Sequence, residues 1–112
     1  MARRQGLAGN LHTFAAAHAD GGYVIDVREP YEYVAGHVPG ARLVPLGQLP
    51  HHVAELPAGE PVYVICASGN RSWTAAQFLI RRGLDARPVA GGTGDWAARG
   101  LPVVRGGQEN VA

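Results

Sequence analysis

The sequence contains no lysine. All ten basic residues are arginine, set against nine acidic ones, for a formal net charge of +1. Both signs are scattered along the chain, which argues against a dedicated nucleic-acid surface. The arginine bias is read as genome composition rather than chemistry. Cysteine occurs once, so no internal disulfide can form, and a lone thiol fits a reducing compartment. Long hydrophobic runs are also missing; the strongest, Val62 to Ala67, falls far short of a membrane span. The basic start Met1-Ala2-Arg3-Arg4 and the small residues Ala17-His18-Ala19 outline a secretory leader. Gln5, Asn10, His12 and Thr13 break the apolar stretch it would need. These absences predict a cytoplasmic protein with no membrane or nucleic-acid partner. The 112 residues, 46% of them hydrophobic, suit one domain with a real core, so residues 1–112 are expected to form a single unit.

What is present alternates between two periodicities. Leu11 to Ala19 reads as an alanine-rich helix with Asn10 as N-cap, ended by Gly21-Gly22. Tyr23 to Val27 is a short apolar run bounded by turn residues, hence a buried strand. Pro30 suits the first turn of a short helix to Ala35, stopped by Gly36. His37 to Ala41 is turn chemistry, Arg42 to Val44 a short strand, and Leu46 to Leu56 a helix despite Pro50. Val62-Tyr63-Val64-Ile65 is the clearest strand, continuous and β-branched as a central parallel strand should be. Ser72 to Arg82 reads as a helix with Ala75, Ala76, Leu79 and Ile80 on one face and Gly83 beyond its end. Ala86 to Ala90 is a further strand, followed by a last short helix around Trp96. Strands alternating with helices predict an α/β domain: a mainly parallel sheet with helices on both faces. In such sheets ligands bind at the carboxyl ends of the strands. Two strand ends carry chemistry, Asp26-Val27-Arg28 and Cys66 onward.

The informative segment is strand, then Cys66-Ala67-Ser68-Gly69-Asn70-Arg71-Ser72, then helix. A turn between a parallel strand and a helix aims successive unpaired N–H groups inward, and the helix dipole adds positive charge. A thiolate at its start is stabilised, which lowers the thiol pKa and raises the reactive fraction at neutral pH. The loop amides should matter first and the Arg71 charge second. Gly69 admits backbone angles closed to other residues, Arg71 offers a planar donor fork to oxyanions, and Ser72 can cap the helix. The competing reading is an inert core cysteine. A core cysteine, however, requires neither Gly69 and Arg71 at this spacing nor a helix starting directly after it.

Other residues carry weaker signals. Asp26 could orient the loop or Arg28, although a structural salt bridge is the preferred reading. Arg28, Glu29 and Glu32 read as helix-surface pairs of small value. His51 and His52 cannot share a helix face and have no third ligand nearby, so no metal site is expected. Trp73 is placed to wall a pocket, and Trp96 to fill the core. Gly91, Gly92 and Gly94 lack the surroundings of a nucleotide fingerprint.

Taken in order, these segments resemble the rhodanese homology domain. Asp26-Val27-Arg28-Glu29 with Glu32 looks like the family's first signature, and Gly36-His37-Val38-Pro39-Gly40-Ala41 like its second. Cys66 to Ser72 looks like the active-site loop, Gly91-Gly92 with Trp96 like the fourth signature, and Gly100-Leu101-Pro102-Val103 like the usual ending. The resemblance runs from about Tyr23 to Val103, within a motif-bearing core of about 23–104. It implies a rhodanese-like three-layer fold and a sulfurtransferase with Cys66 as nucleophile. The donor would bind along Ala67, Ser68, Gly69, Asn70, Arg71 and Ser72, with Asp26 and Arg28 in support. His37 belongs to a structural turn in the family pattern and is assigned no catalytic role.

The implied reaction takes a sulfane sulfur from thiosulfate or another persulfide donor. It stores that sulfur as a Cys66 persulfide and hands it to a thiophilic acceptor, cyanide or a thiol. No metal or organic cofactor is implied. The partners would be a small-molecule donor and acceptor, or a protein persulfide carrier. One departure stands out: many thiosulfate-using members carry a basic residue directly after the cysteine, where this chain has Ala67. Two rival classes share the scaffold. One is an arsenate reductase or phosphatase using a similar cradle; the other is a non-catalytic module. Only four residues separate Cys66 from Arg71, the shorter, sulfur-handling loop length. Retention of Cys66, Gly69 and Arg71 together speaks for catalysis.

Overall fold

A computed structural model describes residues 10–110; the basic start Met1 to Arg4 lies outside them. Asn10 caps helix α1 (Leu11–Ala19), its side chain accepting from the Thr13 N–H at 2.9 Å. There follow strand β1 (Tyr23–Asp26), helix α2 (Pro30–Ala35), strand β2 (Arg42–Leu43), strand β3 (Val62–Ile65), helix α3 (Asn70–Arg81), strand β4 (Ala86–Pro88) and helix α4 (Gly92–Ala98). The four strands form one parallel sheet in the order β2-β1-β3-β4. The architecture is therefore α/β, as the alternating pattern implies.

Side-chain alternation along β3 decides which helix covers which face. Val62 and Val64 pack with Ile25, Val27, Leu49, Ala75, Ala76 and Leu79, the α3 side of the sheet. Tyr63 and Ile65 point the other way, into a second core with Leu11, Phe14, Val24, Tyr33, Val89 and Trp96. Both faces of the central strand are covered, so all four of its residues are buried.

Two expectations are corrected. The stretch from Leu46 to Leu56 is not one helix but two 3₁₀ turns, Leu46–His51 and Val53–Glu55. Pro50 lies inside the first, where its missing N–H cannot sustain an α-helical ladder. Helix α3 also starts at Asn70, two residues earlier than expected, because Gly69 takes φ +123° and completes the turn at once.

The order β2-β1-β3-β4 means that the chain leaves β1 toward opposite edges of the sheet. The switch lies between β1 and β3, the crevice where doubly wound sheets bind ligands. Asp26 pairs with Ile65 at those two carboxyl ends, and the Val27 N–H donates to Ile65 O at 3.0 Å. Cys66 is the first residue after β3.

Candidate active site

Cys66 leaves β3 buried, with 1% of its surface exposed. The loop then folds back over its sulfur. The Gly69 N–H donates to Sγ at 3.1 Å and the Ser72 N–H at 3.3 Å. Burial pushes the Cys66 thiol up. The Ser72 hydroxyl and the N–H groups of Ser72, Gly69 and Ser68 pull it down, and the result lies below the ordinary thiol value. Ser72 is not the helix cap. Gly69 is the N-cap, and Ser72 sits in the first turn with its hydroxyl donating to Gly69 O at 3.0 Å. That hydroxyl donates to the carbonyl, and it is also the first of the groups that lower the Cys66 thiol pKa.

Arg71, the one cation of the loop, is held within the fold. Its guanidinium forms a bidentate pair with Glu32 of α2, at 2.7 and 2.9 Å. Glu32 Oε1 also accepts the Glu29 N–H at 2.9 Å, closing the capping box of α2. The Arg71 hydrogen bonds hold the Glu32 carboxyl down at about 2, and Glu32 holds Arg71 further into its charged form. By sequence, Glu32 is one of several helix-surface pairs. Its partner is 39 residues away, a distance that helical spacing cannot reveal.

Arg28 is likewise not a surface group. It is buried, its Nε donating to Asp26 Oδ1 at 2.9 Å and its Nη2 to Asp26 Oδ2 at 2.8 Å and to Gly36 O at 2.8 Å. Asp26 is fully buried, and this pair is the structural salt bridge preferred from sequence. It pins the β1 end to the turn after α2, beside the loop. Ser68 and Asn70 are exposed at the mouth, and Ala67 is half-buried. Trp73 is 54% exposed and walls a small apolar pocket with Ser68, Gly69, Pro88 and Val89. His37 is fully buried, its Nδ1 beside Tyr33 O and its N–H and carbonyl bridging to Val104. His51 lies exposed, and among the described residues no cluster of candidate metal ligands occurs.

A support that the sequence did not announce lies beneath the loop. The Thr93 N–H donates to Cys66 O at 2.8 Å and the Gly94 N–H to Ala67 O at 3.0 Å. Gly92 takes φ +58°, and a Cβ there would stand 2.4 Å from Cys66 O. The consecutive glycines 91 and 92 are the available signal in the sequence, and close approach to the Cys66 loop explains the second of them.

The thiol is thus buried, with N–H donors aimed at its sulfur and its loop braced from two sides. The rhodanese-like domain pattern matches residues 10–99. The chain belongs to the rhodanese-like domain family. A sulfurtransferase of Allochromatium vinosum is 34% identical over 82 residues, 72% of this chain and 77% of that protein. The uncharacterized protein YqhL of Bacillus subtilis is 40% identical over 77 residues, 68% of this chain; the chain spans only 61% of its length. Among solved structures, a rhodanese-related protein of Thermoplasma volcanium is 35% identical with a TM-score of 0.79, covering 85% of this rhodanese-like chain and 94% of the other. Among the described residues no helix is long and apolar enough to cross a membrane.

Proposed function

We propose that this rhodanese-like protein is a sulfurtransferase that carries sulfur on Cys66. The observation that supports this reading is the pair of N–H groups, from Gly69 and Ser72, aimed at a buried thiol at the sheet's switch point. In the first step the Cys66 thiolate attacks the outer sulfur of a donor R–S–S⁻ or of thiosulfate. A bond forms between Sγ and that sulfur while the donor S–S bond breaks, and the electron pair leaves on the thiolate or on sulfite. In the second step a thiol or cyanide attacks the outer sulfur of the Cys66 persulfide, and Sγ leaves as thiolate. The inward amides favour the anionic sulfur in both steps. No redox change is needed, and the reaction calls for no metal or organic cofactor. A cytoplasmic, reducing setting keeps the thiol available.

Pairing of Arg71 with Glu32 leaves the loop with no uncommitted cation, and position 67 adds none. A persulfide donor therefore fits this loop better than thiosulfate does. The phosphatase reading is weaker. With four residues between Cys66 and Arg71, the ring lacks the extra inward N–H that three equatorial phosphoryl oxygens would require.

The test is mass spectrometry of Cys66 after exposure to a panel of donors, alongside Cys66→Ser. A persulfide adduct on the wild type and loss of transfer in a folded Cys66→Ser variant are expected. Wild-type transfer by that variant, or Cys66-dependent hydrolysis of aryl phosphates by the unaltered protein, would overturn the reading.

A further inference from the structure

A cleft of about 400 Å³ opens on the Ala67 side of the loop, with Arg28, Glu32, Ala67, Thr93, Gly94 and Arg105 in its wall. Its charges do not cancel. Arg28 is matched by Asp26, and Glu32 by Arg71. Arg105 is exposed and forms no ion pair among the described residues, which leaves one uncompensated positive charge.

Two further donors in this wall lack partners. Arg28 commits Nε and Nη2 to Asp26 and Gly36, while its Nη1 makes no hydrogen bond among the described residues. The hydroxyl of Thr93, a residue only 8% exposed, is a buried side-chain polar atom with no hydrogen-bond partner. An orphaned hydroxyl in a buried wall is costly unless something else completes it. Ala67 keeps the cleft open, since a long basic side chain at that position would fill part of it.

We propose that this cleft binds the anionic end of the sulfur donor, a carboxylate or sulfonate, with Arg105 as the main cation and Arg28 Nη1 and Thr93 as further donors. Arg105 thereby supplies from the chain's tail the charge that is absent at position 67. The cleft meets the Cys66 loop at Ala67, whose carbonyl accepts the Gly94 N–H. The assignment of that anion to a donor rests on the sulfur-transfer reading; the existence of the anion site does not.

Methanesulfonate, which has no sulfur to transfer, separates the two. Titrated into the wild-type protein and followed by ¹H–¹⁵N spectra, it should produce saturable shifts at the Thr93 and Gly94 amides. Arg105→Ala should weaken that binding about fivefold, the scale of one partly exposed charge contact, while Arg99→Ala, on the far end of α4, should not. In turnover, Arg105→Ala should lower kcat/KM for 3-mercaptopropionate persulfide relative to 2-mercaptoethanol persulfide by a similar factor. Unchanged methanesulfonate affinity in Arg105→Ala, or shifts confined to other parts of the molecule, would overturn the site. Arg105-dependent methanesulfonate binding in a protein that turns over neither persulfide would uphold the site and refute the sulfur-transfer reading instead.

Discussion

Cys66 shows how little chemistry a single side chain needs when the backbone is arranged around it. No histidine is among the groups that shift its thiol; the shift comes from burial in one direction and from Ser72, Gly69 and Ser68 in the other. Ionisation at a given pH is then set by loop geometry, because each N–H is held at a fixed position. Alkylation rate against pH should give a midpoint below the free-thiol reference of about 8.5. Ser72→Ala removes the hydroxyl and keeps the amide, so its midpoint should rise, because a hydrogen bond that favours the thiolate is lost. An unmoved midpoint would mean that the hydroxyl serves only Gly69 O. The Cys66 loop was legible at this scale, because Cys66, Gly69 and Arg71 act over a few consecutive residues. Arg71's partner was not, since an ion pair depends on which side chains the fold brings together.

Two elements hold the loop in place, and each makes its own prediction. Helix α2 acts through Glu32, whose carboxylate joins the capping box to Arg71. Glu32 is depressed in the folded protein from 4.5 to about 2. Its contribution is therefore fully present above about pH 4.5 and is lost as pH falls through about 2. Part of the pair is solvent-exposed, which screens it. Glu32→Gln should cost ~1–2 kcal/mol at pH 7 and flatten the acid limb of stability measured by urea titration at several pH values. Helix α4 acts through Gly92, whose left-handed backbone lets Thr93 and Gly94 reach the carbonyls of Cys66 and Ala67. Gly92→Ala adds backbone strain and drives a methyl into Cys66 O. The expected loss is ~2–4 kcal/mol, with the thiol midpoint rising as the loop amides are displaced. A stable Gly92→Ala protein with an unshifted midpoint would show that this support is dispensable.

At the scale of the whole molecule, one central strand divides two cores. Cys66 belongs to the α3 side, whereas Phe14 is buried on the other side against Tyr63, Trp96 and His18. Phe14→Ala should cost ~3–5 kcal/mol, seen as a lower urea midpoint with an unchanged slope, yet leave the Cys66 alkylation profile where it was. A shifted profile would mean that the two cores are coupled through β3. The sequence by itself determined the α/β alternation, the buried character of Val62 to Ile65 and the place of the Cys66 loop between strand and helix. Those features follow from local periodicity and from residues adjacent in the chain. Tertiary structure alone decided that Arg71 is held by Glu32, that Gly92 must pass under Cys66, and that Ala67 and Arg105 share one cleft. Each of these joins segments far apart in sequence, and such contacts depend on the strand order β2-β1-β3-β4, which no local pattern encodes.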